Sequence, residues 1–94
     1  MSVYFIADVK VTDDTWVASY ATSVHDIVHK HGGRYLARSG NVKTLEGEQA
    51  ATTMIAMIQF PSAAAVHAFL ADPSYAPYAA ARRAGSDSQI GRAH

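Results

Sequence analysis

The sequence predicts an α+β fold in the order β-α-β-β-α-β. Three observations carry this expectation: an alternating run at Val3–Val11, an apolar stripe at helical spacing from Trp16 to Val28, and a second alternating run at Thr52–Phe60 that leads into another helical stripe.

In the first strand Val3, Phe5, Ala7, Val9 and Val11 share one face, and Tyr4, Ile6, Asp8 and Lys10 share the other. Thr12-Asp13-Asp14 ends it and supplies an N-cap, with acidic charge at the positive end of the helix that follows. That helix is predicted from about Asp14 to His31. Trp16, Val17, Tyr20, Val24, Ile27 and Val28 recur at three- and four-residue steps, and Thr15, Thr22, His25, Asp26 and His29 take the opposite side. Gly32-Gly33 ends the helix, because glycine can adopt the left-handed conformation that closes one.

Arg34–Arg38 reads as a second strand, turned by Ser39-Gly40-Asn41. An extended segment is expected from Val42 to Glu46. In the third strand, Thr52–Phe60, Met54, Ala56, Ile58 and Phe60 oppose Thr53, Ile55, Met57 and Gln59. Pro61-Ser62 opens a second helix with Val66, Phe69 and Leu70 toward the core. Asp72-Pro73-Ser74 interrupts it. A further helix is expected with Ser74 as N-cap, because Pro77 is harmless only in a first turn. Tyr75, Tyr78 and Arg82 then share a face. Ser86–Arg92 is a weak last strand. Together these elements predict a ferredoxin-like βαββαβ sandwich, with both helices on one face of an antiparallel four-stranded sheet.

Ninety-four residues suit one domain spanning 1–94, and 49% hydrophobic with 17% charged residues allows a packed core. Eight basic residues balance eight acidic ones, which argues against nucleic acid as the main partner. The chain has no cysteine and therefore no disulfide, thiolate nucleophile or thiolate metal site. Met1–Asp8 lacks the basic start and apolar length of a signal peptide. No apolar run nears the ~20 residues of a membrane span, so the expected setting is the cytoplasm.

The second face of the central strands is as apolar as the first: Tyr4 and Ile6 on one strand, Ile55 and Met57 on the other. Such a face would be an interaction surface if exposed, and the same surface of a second copy is its simplest cover. A homodimer is the expected state.

Several blocks resemble a known family. Tyr4-Phe5-Ile6-Ala7-Asp8-Val9, Gly32-Gly33-Arg34-Tyr35-Leu36-Ala37-Arg38-Ser39-Gly40, Leu45-Glu46-Gly47, Phe60-Pro61-Ser62 and Asp72-Pro73-Ser74-Tyr75 are similar to domain of unknown function 1330 (DUF1330). The resemblance implies a dimeric α+β barrel, in which two ferredoxin-like sheets pack face to face. It implies no particular reaction.

Asp8 is the foremost candidate for chemistry, since a carboxylate amid apolar strand residues calls for a partner. Arg34 and Arg38, expected on one face of the second strand, and Arg82 on the last helix are the available cations. Glu46 is a second candidate acid/base. Tyr20 and Gln59 join the arginines as candidate substrate-binding residues. Asp8, Glu46 and these cations are expected to converge. His25 and His29, one helical turn apart, lack a convergent third ligand. No metal is inferred, and a haem site is disfavoured because Asn41 lies in a turn. No glycine pattern suits a phosphate. The first function hypothesis is an enzyme for a small, partly hydrophobic metabolite, using no metal or nucleotide cofactor. A binding or structural dimer without chemistry is the alternative.

Overall fold

The computed structural model describes residues 2–47 and 52–93. Strand β1 (Val3–Val11) leads through a 3-10 turn (Asp14–Trp16) into helix α1 (Val17–Lys30) and strand β2 (Arg34–Ser39). Strand β3 (Met54–Phe60), helices α2 (Ala63–Ala71) and α3 (Ala76–Gly85), and strand β4 (Ser86–Ala93) follow. The strands form an antiparallel sheet in the order β2-β3-β1-β4. This is the α+β, ferredoxin-like arrangement the sequence predicts.

Local chemistry accounts for most boundaries. Asp13 caps the 3-10 turn by accepting from the Thr15 amide at 3.0 Å. Gly32, at φ 78°, closes α1: its amide donates to His29 O and that of Gly33 to Val28 O, the two bonds of a Schellman motif. Ser62 caps α2 through the Ala65 amide.

Three expectations fail. Leu70, expected toward the core, is 41% exposed, because only Val66 and Phe69 of α2 are buried. The segment 41–45 has no regular structure, so the expected extension over Val42–Glu46 is absent. Ser74 does not cap α3, which starts one residue later with Pro77 still in its first turn. The Ser74 hydroxyl instead donates to Asp72 Oδ1, at 2.6 Å.

Phe5, Phe60 and Phe69 meet edge-on or tilted, with centroids 5.7–6.0 Å apart, at the centre of the core between sheet and helices. Asp72 ties the core's upper edge together. Its buried carboxylate accepts from the Ser74 hydroxyl and amide, from Lys30 Nζ (3.1 Å) and from His31 Nε2 (2.7 Å), pinning the end of α1 to the α2–α3 turn. The Ser74 hydroxyl, then the His31, Ser74 amide and Lys30 donors, hold this carboxyl well below the ordinary carboxylate range. The folded state therefore takes up a proton here less readily than the unfolded chain. The stabilisation is complete above the ordinary value of about 3.9 and is lost as pH falls toward the folded one. Asp72→Asn should be less stable than the parent at pH 7, and denaturant melts should show the gap closing below about pH 4. A gap that stayed constant with pH would contradict this role.

Candidate functional site

A cavity of about 60 Å³ lies between α1 and the helix-facing side of the sheet. Small residues create it. Ala7 on β1 and Ala56 on β3 are direct cross-strand partners, so the floor is low where the two central strands meet. Phe5, Val9, Met54 and Ile58 rise around that floor, while Trp16, Tyr20, Ala21 and Val24 form the roof. The walls are almost wholly apolar.

The polar groups are few. Trp16 Nε1 donates to Gly85 O at 3.0 Å, and its ring meets Tyr20 edge-on at 5.2 Å. The Tyr20 and Tyr75 hydroxyls are 2.8 Å apart in a hydrogen bond. Burial pushes the Tyr20 phenol far above its ordinary range, and the neighbouring Tyr75 adds to the effect. The charge of Arg82 opposes the shift without offsetting it. Tyr20 is therefore a neutral hydroxyl. Arg82 itself is 5% exposed; its Nη1 donates to Ser88 Oγ and its Nε has no partner. At the rim, Tyr35 is stacked on His25 (5.3 Å, 7° between planes), with Arg38 Cζ 5.1 Å from the Tyr35 ring centroid, a cation–π contact. Burial raises the Tyr35 phenol too, against the pull of Arg38.

Of the residues expected to act together, Tyr20, Arg38 and Arg82 line this cavity. The others do not join them. Asp8 is exposed on the opposite side of the sheet, in a shallow depression with Lys10, Asp87 and Gln89, and accepts a hydrogen bond from Thr52. No ion pair among the described residues joins it to an arginine. Glu46 is exposed in the irregular segment after β2. Arg34 donates to Gln59 Oε1 at 2.9 Å, and Gln59 donates to Ser2, in a surface chain. The expected convergence on Asp8 does not form, because strand alternation sends Ala7 and Val9, not Asp8, toward the helices.

Arg34 and Arg38 also part company. A bulge between Tyr35 and Ala37 pairs Arg34 with Gln59 but Arg38 with Ala56. The extra residue reverses the facing of everything after it, so Tyr35 and Arg38 both reach the cavity. Trp16 and Tyr35 line the cavity, whereas the sequence places them in the apolar stripe of the first helix and in the second strand. The available signal was alanine at Ala7 and Ala56 on otherwise bulky inward faces.

His25 and His29 lie with ring centroids 4.5 Å apart, and no group of three His, Cys, Asp or Glu among the described residues could hold a metal ion. No helix among the described residues is long and apolar enough to cross a membrane.

Solved structures share the architecture. The RPA0582 protein of unknown function from Rhodopseudomonas palustris superposes with a TM-score of 0.85 at 19% identity, covering 98% of this chain and 80% of that one. SnoaB, a cofactor-independent oxygenase from Streptomyces nogalater, gives 0.71 at 18% identity over 99% and 91% of the two chains. A dimeric ferredoxin-like protein of unknown function from Jannaschia sp. CCS1 gives 0.70 at 10% identity over 100% and 99%. At these identities the likeness is one of fold. No curated protein matches the chain. The family model described as domain of unknown function (DUF1330) matches residues 2–91, and the chain belongs to that family.

Proposed function

We propose that this chain is a homodimer that binds a small, partly hydrophobic molecule in the cavity beneath α1. The observation that carries the reading is the cavity itself: an apolar hollow with a few convergent polar groups, which is the usual form of a small-molecule site. The dimer reading rests on the outer face of the sheet, where Ile6 and Met57 are cross-strand partners and Met57 and Ile55 are each 38% exposed. Packing two such faces about a two-fold axis gives a dimeric α+β barrel, and similar proteins are described as dimeric. In this arrangement the cavities lie on the far sides of the two sheets, one per protomer.

Binding without acid–base chemistry is favoured over catalysis by one feature. Among the described residues lining the cavity there is no carboxylate and no histidine. Were the bound molecule transformed, Arg82 and Tyr20 would hold developing negative charge on oxygen, and the substrate would supply its own reactive carbon. The fold of SnoaB accommodates cofactor-independent oxygenation, which keeps this second reading in view.

The test is thermal shift across a panel of small organic molecules, with Ala56→Leu as the control that fills the hollow. A ligand at about 100 times its Kd adds about 2.7 kcal/mol, roughly 10–20 °C for a chain of this size. Ala56→Leu is expected to abolish that response while its own melting temperature moves by only a few degrees. An unchanged response in Ala56→Leu, or no response from the parent to any compound, would refute cavity binding.

A further inference from the structure

We propose that the cavity takes its ligand as an anion, a small carboxylate with an apolar tail, and that Arg82 is its counter-ion. This rests on the cavity reading above and adds the charge and head group of the ligand.

Among the described residues two charged side chains are buried, and they are treated oppositely. Asp72 (8% exposed) has Lys30, His31 and Ser74 around it. Arg82 (5% exposed) has one neutral hydroxyl, Ser88 Oγ, and no carboxylate among the described residues. A guanidinium cannot escape this by losing its proton, as a buried lysine can. Holding a buried positive charge without a counter-ion is costly, and a counter-ion from outside relieves the cost.

The free part of Arg82 has a definite shape. Ser88 occupies Nη1. The Nε–H, on the edge it shares with Nη2, is buried and has no partner among the described residues. That edge matches the two oxygens of one carboxylate. A neutral carbonyl could occupy Nε but would leave the charge uncompensated.

The tyrosine pair points the same way. Two hydroxyls bring two protons to their shared bond, and only one is used in it. The other is free to donate, and Arg82 lies near enough to Tyr20 to act on its ionisation. Arg38 at the exposed rim adds a second positive charge where a ligand would enter. Among the described residues lining the cavity the charged ones are Arg38 and Arg82, both cationic, and an apolar cleft so lined draws anions in. The alanine floor then takes the tail.

Calorimetry and thermal shift on the unmodified protein should compare propionate with propionamide and benzoate with benzamide, pairs of equal shape and different charge. Each carboxylate is expected to bind at least about tenfold tighter than its amide. Arg82→Gln should erase that preference, and Arg82→Lys, a point charge without the fork, should restore only part of it. Ala56→Leu should abolish binding of both members, which places them in the cavity rather than on a surface arginine. If Arg82→Gln does not fold, the acid–amide comparison on the parent decides alone. Amides binding as tightly as acids would overturn the anion while leaving the cavity reading intact. So would binding of other panel compounds, sensitive to Ala56→Leu, without any carboxylate binding. Silence from every compound would overturn both.

Discussion

Ile6→Lys is expected to abolish the dimer and leave a chain that is unfolded or melts far below the parent. Ile6 sits at the middle of the outer sheet face, directly across from Met57 and flanked by Gly91 on β4. In the proposed dimer this row meets its two-fold copy, so the substitution places two ammonium groups in one apolar interface. Burying an unpaired charge belongs among the most damaging single changes, on the order of 4 kcal/mol. A protomer of this size buries too little of its own surface to absorb that loss. Met57→Glu on the paired strand should behave alike, for the same reason. Light scattering and denaturant melts check the result. A stable, well-folded monomer from the unmodified chain at micromolar concentration would remove the basis of the dimer.

Gly85→Ala should cost about 3 kcal/mol, lowering the melting temperature by roughly 10–20 °C, and should weaken ligand binding with it. A β-carbon at Gly85 would stand 2.2 Å from Trp16 Cδ1 and 3.0 Å from the Asp13 carbonyl. The indole has no free way to retreat. Its Nε1 is bonded to the carbonyl of Gly85 itself, and its ring abuts Tyr20. The same carbonyl accepts the Thr12 and Asp13 amides, each at 3.0 Å, and so joins the end of β1 to the start of β4. Because Trp16 also roofs the cavity, displacing it should reduce affinity as well as stability. Calorimetric melting and titration with a carboxylate together measure both. An unaltered melting temperature would mean that the indole swings clear at no cost.

The secondary structure was largely legible because its causes are local. The α1 stripe follows the helical repeat, so Val24, Ile27 and Val28 could be placed in the core from spacing alone, and they are buried. Gly32 could be named as a helix terminator because a positive φ is a property of one residue and its neighbours. The alternation in β1 put Val3, Phe5 and Val9 on the inner face, where they are. The start of α3 was off by one residue because Ser74 and Asp72 compete for the same turn. Asp72 prevails once His31 and Lys30 arrive from a helix distant in sequence.

The candidate site was legible only in part. Tyr20, Arg38 and Arg82 could be singled out as polar residues in apolar or strand settings, but their meeting place could not. A carboxylate among apolar strand residues is costly only where its face is buried, and the residues next to Asp8 in sequence do not decide that. In the protomer Asp8 is exposed on the outer face of the sheet and accepts from the Thr52 hydroxyl.

By itself the sequence determined the order and kind of the elements, the stops of β1 and α1, and the two apolar faces of the central strands, since periodicity and capping act over a few residues. Tertiary structure alone decided that a bulge at Leu36 turns Arg38 inward and leaves Arg34 outside, since a bulge is set by pairing with β3. It also decided that Ala7 and Ala56 fall opposite each other and open a hollow, and that Arg82 is buried beside it with no carboxylate partner among the described residues. A cavity is the volume that packed elements fail to fill. It depends on the register between strands nearly fifty residues apart, and no local pattern in the chain records that register.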